Sequence, residues 1–384
     1  MDFSFTEEQE LLRNSLQAFL RDRYGFEARR AAARGAPGMR REIWTAMAQD
    51  LGILSATMPE RVGGLGADAV TTMVVMEELG RALVVEPFLE TVVLCGGLLS
   101  RSGGALADDT LRRIGTGEEI LAFAWSEPQT RYDFTRVATS ARREGPAWRI
   151  DGVKSVVIAA PWASQLLITA RTGESVGQRE GLSLFLLDKN TAGISATEYP
   201  TIDDRRAADI TFANVRVPAD ALIGAEGEAL EAIEAVTDTA IAALCAEAVG
   251  VLSTLQWSTV EYTKQRRQFG QPIAAFQALQ HRMVDMYMHV EMAQSATYLA
   301  TLKLSASPLE RALAASTAKV TVNNACRFVG QNAIQLHGGM GMTDELAISH
   351  YFKRATAIES ELGSVDFHLQ RHAALSRTLD NVTA

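Results

Sequence analysis

The stretch from Thr239 to Gly270 constrains this chain more than any other. Its first half, T-A-I-A-A-L-C-A-E-A-V-G-V-L-S-T, is almost wholly apolar or small and has no proline, which predicts a long buried helix. Inside that half stands one carboxylate, Glu247. A carboxyl among Ala, Leu, Val and Cys must be paired, hydrogen-bonded or protonated. Desolvation favours its protonated form, which suits a general base working near neutral pH; the alternative is a structural glutamate satisfied by an arginine elsewhere in the chain.

The same helix runs out in Arg266-Arg267-Gln268-Phe269-Gly270, followed by Gln271-Pro272-Ile273 and Phe276-Gln277. Guanidinium forks match phosphate oxygens, so this helix stop has anion-binding potential. Further on, Gln335-Leu336-His337-Gly338-Gly339-Met340-Gly341-Met342 gathers glycines that let a backbone approach a pyrophosphate closely. His337 reads as a packed histidine, with a ligand or acid as the alternative.

The remaining bounds are broad. With 384 residues and 47% hydrophobic content the chain can fill a large core, as one unit or as two to three subdomains. A net charge of −9 argues against nonspecific nucleic-acid binding. Cys95, Cys245 and Cys326 are far apart and fit neither a disulfide framework nor a metal cluster, so no metal is expected and a reducing compartment is. Met1-Asp2-Phe3-Ser4 lacks a basic region followed by an apolar one, and no run reaches the roughly 18 apolar residues of a membrane span. A cytoplasmic protein without membrane or nucleic-acid partners is the expectation.

Residues 1–118 read as helical, opening on the capping-box spacing Thr6-Glu7-Glu8-Gln9 with Leu11, Leu12, Leu16, Phe19 and Leu20 on one face. Further helices are predicted over Glu42–Leu51, Ala69–Leu83 and Pro87–Leu99, with Gly80 ending one of them. Residues 119–222 switch to short β-branched and aromatic segments, among them Arg136–Arg142, Trp148–Ile150, Ser155–Ala159 and Ala208–Val217, with Gly173–Gly181 as an exposed loop. From 223 to 384 the helical pattern resumes, with Ser307-Pro308-Leu309-Glu310 giving a second capping box.

R-x-Q-F-G-x-P-I with F-Q, Q-L-H-G-G-M-G-M, the loop P-E-R-V-G-G-L-G from Pro59 and E-E-L-G-R from Glu77 together resemble the acyl-CoA dehydrogenase family along nearly the whole chain. The resemblance implies an α+β fold: an N-terminal helical domain, a middle β-barrel or sandwich domain and a C-terminal helical bundle that carries oligomer contacts. It implies FAD as cofactor, an acyl-CoA substrate and an electron-transfer flavoprotein as electron acceptor. Ser126, in Trp125-Ser126-Glu127-Pro128, would offer a hydroxyl to the flavin ring. Arg266, Gln268, Phe269, Gln335, Gly338, Gly339 and Gly341 would grip the adenosine diphosphate, the two segments coming from different subunits, and Ser364 and Asp366 would also contact FAD.

Three departures mark this chain. Gln129-Thr130-Arg131-Tyr132-Asp133 replaces the family's G-A-G-S-D, and Lys154-Ser155-Val156-Val157-Ile158-Ala159 lacks the threonine of K-x-x-I-T-N. Leu362 falls where the family places its glutamate base, and a leucine cannot take a proton. Glu361 is one alternative base, through a one-residue shift; Glu247 is the other, seven residues along the helix from Ala240, where some relatives carry theirs. Cys245-Ala246-Glu247-Ala248-Val249-Gly250 resembles the subgroup of pimeloyl-CoA dehydrogenase small subunits and heteromeric steroid side-chain acyl-CoA dehydrogenases, implying an α2β2 assembly with a homologous subunit, or self-association. The expected reaction is α,β-dehydrogenation of a bulky or dicarboxylic acyl-CoA in β-oxidation, with Trp125, Tyr132 and Trp162 near the acyl group; the competing expectation is a non-catalytic subunit completing a partner's FAD site.

Overall fold

Two capping boxes start helices where the sequence places them. In the computed structural model, which describes residues 5–173 and 175–383, the Thr6 hydroxyl accepts from the Gln9 amide at 3.3 Å while the Gln9 side chain accepts from the Thr6 amide at 3.0 Å. Ser307 and Glu310 do the same, with Pro308 in the first turn. Met1-Asp2-Phe3-Ser4 and Glu174, within the expected Gly173–Gly181 loop, lie outside the described residues.

In chain order the elements are α1 (Glu7–Arg23), α2 (Phe26–Arg34), α3 (Arg41–Gln49), α4 (Ala69–Arg81), a π-helix (Leu89–Cys95), α5 (Gly96–Ser102) and α6 (Ala105–Gly115). Strands follow: β1 (Leu121–Ala124), β2 (Ser140–Glu144), β3 (Ala147–Ile158), β4 (Gln165–Arg171), β5 (Leu182–Asp188), β6 (Ile194–Pro200), β7 (Arg206–Pro218) and β8 (Leu222–Ile223). Then come α7 (Leu230–Gln265), the small hairpin β9 (Arg267–Gln268) and β10 (Gln271–Pro272), α8 (Gln277–Leu302), α9 (Pro308–His337), α10 (Ala347–Ser360) and α11 (Val365–Thr383). The class is α+β, helical at both ends with a β middle. By contacts the chain forms two compact units, one of Met1–Arg29, Ala69–Val84 and Ile241–Ala384, the other of Arg30–Asp68 and Val85–Ala240.

The second unit holds a sheet of order β6-β7-β3-β2-β4-β5-β8, with β1 parallel to β4. Trp148–Ile150 and Ser155–Ala159, expected as separate strands, belong to the single β3, apart from Ala159 just beyond its end. A register shift between Lys154 and Val157 breaks its alternation, with Val156 at φ 53° and its N–H donated to Asp209 Oδ1 at 2.9 Å. Of the expected strand Arg136–Arg142, only the end is β2. The expected helix Pro87–Leu99 is divided into the π-helix and α5.

The first unit is built on α7. By length and composition this helix could cross a bilayer, yet 94% of its most apolar stretch is buried inside the protein. It crosses α4 at two glycines: a Cβ added to Gly80 would overlap the Glu247 carbonyl oxygen, and one added to Gly250 would overlap that of Glu77. Gly80 is therefore a crossing point within α4 and not its stop; the positive φ comes at Leu83, at 53°. On α1 the buried stripe is narrower than expected, with Leu16 and Leu20 inside and Leu11 59% exposed.

Candidate active site

The glycine crossing fixes the backbone of Glu247, and an arginine fixes its side chain. Arg354 of α10 donates from Nε to Glu247 Oε1 at 2.6 Å and from Nη2 to Oε2 at 2.8 Å, with both residues at most 4% exposed. The same guanidinium donates from Nη1 to Glu361 Oε2 at 2.9 Å. The two carboxylates singled out as alternative bases are thus held by one cation. Glu361 is half-buried and caps α10.

Leu362 follows with φ 55°, a left-handed conformation that is uncommon for so bulky a residue. Three buried side chains hold it there by taking carbonyls at the end of α10, where a helix leaves acceptors unsatisfied. Lys319 Nζ donates to Ile358 O at 2.6 Å and to Asn323 Oδ1 at 2.8 Å; Asn323 Nδ2 donates to Glu359 O at 3.0 Å and Gly363 O at 3.3 Å. His368 Nε2 donates to Leu362 O at 3.0 Å, and an added Cβ at Gly363 would overlap that ring. Burial pushes the His368 imidazole down to about 3, so it is neutral, and holds the Lys319 ammonium below its ordinary value. Ser364, assigned to FAD, accepts from the Phe367 amide at 3.3 Å and so caps α11; Asp366 is exposed in its first turn.

At the other end of α7, Tyr262 stacks on His337 with ring centroids 4.2 Å apart, and its hydroxyl donates to His337 O at 3.4 Å. This ties the last turn of α7 to the end of α9, so the Arg266 and Gly338 segments start side by side in one chain. His337 is packed as expected, its imidazole lowered by burial. Arg266, Gln268 and Gln335 are exposed, and Phe269 is 91% exposed on the tip of the β9–β10 hairpin. Gly338 has φ 60°, and a Cβ added to it or to Gly339 meets nothing; Gly341 is packed against Ile334 and His337.

In the sheet unit, Ser126 is half-buried, its carbonyl accepting from the Ser155 amide at 2.8 Å. Its neighbour Glu127 is buried against Lys154, whose Nζ donates to Glu127 Oε1 and to Thr169 Oγ1, both at 2.8 Å. Trp125 packs on Phe134 with ring centroids 4.8 Å apart. Trp162 donates to Pro37 O at 2.7 Å, so its polar edge is engaged by backbone. All three cysteines are buried and free; burial pushes Cys245 and Cys326 up to about 12, leaving neutral thiols.

Family models match three successive segments: the acyl-CoA dehydrogenase N-terminal domain over residues 6–118, the middle domain over 122–215 and the C-terminal domain over 232–374. The acyl-CoA dehydrogenase fadE12 of Mycobacterium tuberculosis is 31% identical over 91% of this chain and 91% of its own length. The chain belongs to the acyl-CoA dehydrogenase family. The human mitochondrial short-chain specific acyl-CoA dehydrogenase is 28% identical over 80% of the chain and 76% of its own length. Among solved structures, a chain of the ChsE4-ChsE5 complex from Mycobacterium tuberculosis superposes with a TM-score of 0.88 at 26% identity, covering 99% of each chain.

This acyl-CoA dehydrogenase is an oxidoreductase acting on acyl-CoA with FAD as cofactor. Its residues fit the dinucleotide: the backbone at Gly338 and Gly339 borders open space, and Arg266 has no ion pair among the described residues. The side chains that sequence reasoning missed are Arg354, Lys319, Asn323 and His368. Arg354 was legible in phase, since it shares a helical face with Tyr351 and Ile358, where an arginine needs a buried acid.

Proposed function

We propose that this chain desaturates an acyl-CoA thioester between Cα and Cβ, with Glu247 taking the α-proton, to give a trans-2-enoyl-CoA. Bound FAD supplies the acceptor for the β-hydride. The supporting observation is the exchange at the α10 turn: Leu362, incapable of proton transfer, stands where the family carries its glutamate, beside a guanidinium that joins Glu247 to Glu361. Arg354 orients the Glu247 carboxylate, and burial at this position keeps bulk water from competing for the proton. Arg266, Gln268 and the Gly338–Gly341 turn would hold the dinucleotide; Ser126 of the sheet unit is a separate candidate for a flavin contact.

The finer reading is a subunit of a heteromeric enzyme acting on a bulky acyl chain such as a steroid side chain, with an electron-transfer flavoprotein as acceptor. Support for a partner subunit comes from α8, whose inner face buries Met286, Val290 and Ala293 while Val284, Met288, Met292 and Leu299 stand 45–58% exposed along one outer stripe. The resemblance of Glu247 and its neighbours to heteromeric relatives points the same way.

A second reading, a non-catalytic subunit, is favoured by one observation: both oxygens of Glu247 are occupied by Arg354. Anaerobic bleaching of the flavin by a panel of acyl-CoAs separates the two, with the chain alone and co-expressed with a homologous subunit. Glu247→Gln should retain FAD and bleach at least ~100-fold more slowly than wild type, the range of a lost general base. Equal bleaching by wild type and variant assigns the chemistry to Glu361 or to the partner.

A further inference from the structure

We infer that His337 is a ligand of the FAD diphosphate, taking a proton from solvent on Nε2 as the cofactor binds and donating it in a hydrogen bond to a phosphate oxygen. This rests on the placement of the dinucleotide proposed above. The imidazole is 6% exposed and its ring is fixed twice: it stacks on Tyr262 with 24° between the planes, and Nδ1 lies 2.8 Å from the Ala333 carbonyl oxygen, to which it can only donate. That bond sets the tautomer, so in the neutral ring Nε2 is an acceptor. Nε2 has no hydrogen-bond partner among the described residues and is not sealed from the outside. A nitrogen of a buried ring, held in one orientation and left without a partner, is matched by a group from outside the chain. Its surroundings favour an anion. His337 runs directly into Gly338 and Gly339, whose backbone borders open space, and the Tyr262 carbonyl accepts from the Arg266 amide at 2.9 Å.

No charged side chain already serves that nitrogen. Among the described residues the imidazole hydrogen-bonds Ala333 alone, and Tyr262, the titratable group that faces it from α7, gives its hydroxyl to the His337 carbonyl at 3.4 Å. Further along α7, Glu261 and Lys264 pair with each other; beyond the glycine turn, Asp344 is held by His350 and Lys353. Burial holds the imidazole below its ordinary value, with the Ala333 carbonyl opposing, so His337 is neutral near pH 7 before the cofactor binds. A diphosphate at Nε2 favours the cation. Binding therefore takes up a proton, and affinity rises as pH falls.

The test needs no substrate. The FAD-loaded full chain is diluted to equilibrium at each of several values between about pH 6 and 8, the window in which a histidine titrates, and released FAD is read by its fluorescence. In wild type the Kd should fall about tenfold toward the acid end, the equivalent of one pKa unit of differential interaction. His337→Gln, which keeps a polar group of similar reach but gains no proton, should flatten that slope. Tyr262→Phe, which keeps the ring stack, should preserve it. A flat wild-type slope overturns the inference without any variant. So does a His337→Gln protein that loses the same factor of affinity at every pH, since that is what a purely structural histidine gives. Arg266→Gln tests the placement beneath: if it leaves FAD affinity unchanged, the dinucleotide lies elsewhere and the placement fails with the inference. If Arg266→Gln weakens FAD while His337→Gln keeps the wild-type slope, only the role of His337 fails.

Discussion

Glu127 and Lys154 meet one to one in the sheet unit, whereas Glu247 and Glu361 share the single guanidinium of Arg354 in the helical unit. Around Glu127 every acceptor is used: Oε1 takes Lys154 Nζ and the Thr139 amide at 3.1 Å, and Oε2 takes the Ala138 amide at 2.7 Å and Gln129 Nε2 at 2.6 Å. Lys154 likewise spends its ammonium on Glu127, Thr169 and the Trp125 carbonyl at 3.4 Å. Burial pushes the Glu127 carboxyl up, but Lys154 and these donors outweigh it and hold the group below its ordinary value. Lys154, with a single carboxylate partner, is carried down to about 8 by burial. A balanced, saturated cluster gains nothing by taking a proton. Around Arg354, by contrast, one guanidinium bonds two carboxylates that come from different helices and chain positions. Both acids are buried to the same degree, so the way the cation is shared, more than burial, separates the structural acid from the candidate catalytic one.

The comparison breaks first at Lys154. Lys154→Met strands Glu127 as a buried anion and should cost about 3–5 kcal/mol in denaturant unfolding, while Glu127→Gln/Lys154→Met should recover most of it. The pH dependence carries its own sign. The folded-state value near 8 lies below the unfolded 10.5, so between them the unfolded chain binds more protons and stability from this lysine rises with pH. Below about 8 both states are protonated and the penalty is constant; Lys154→Met should flatten the rise. A destabilisation under ~1 kcal/mol would show that the cluster is wet and the balanced half of the comparison misread.

How much of this was legible depended on range. The capping boxes at Thr6 and Ser307 were readable because both partners lie within one turn. Gly80 was read as a helix stop because a sequence shows punctuation but not the second helix pressed against it. Strand β6 went unseen because most of its residues face solvent, leaving no apolar alternation. Glu247 stood out as an anomaly, yet its partner lies 107 residues away, and nothing local says that Arg354 also serves Glu361. The candidate site was legible as a problem in charge; its solution required the fold.

A second test concerns His368, which holds the Leu362 turn in its neutral form. Its folded value near 3 lies below the ordinary 6.5, mainly through burial, so the unfolded chain binds the extra proton first as pH falls. Stability should therefore be full above about pH 6.5 and decline by up to a few kcal/mol toward pH 3. His368→Gln, which keeps a donor for the Leu362 carbonyl, should lose that slope in urea midpoints measured across the window. If the slope persists, acid sensitivity comes from the carboxylates alone, and the turn beside Glu361 is held less tightly than the hydrogen bonds indicate.

The smallest effect lies at Gln129, the first residue of the stretch that departs from the family's G-A-G-S-D. Its amide is one of the donors on Glu127 Oε2, and the Ala138 amide remains on that oxygen when it is gone. Gln129→Ala should therefore cost only about 0.5–1.5 kcal/mol, the worth of one charge-assisted but replaceable hydrogen bond at a partly solvated edge. Flavin bleaching rates should stay within about twofold of wild type, since less than ~0.5 kcal/mol is asked of the transition state. A tenfold loss of rate with melting unchanged would be the more instructive result. It would mean that the loop after Ser126 transmits to the reacting centre, that saturation of hydrogen bonds does not mark a cluster as structural, and that the contrast with the Arg354 triad must rest on the shared guanidinium alone.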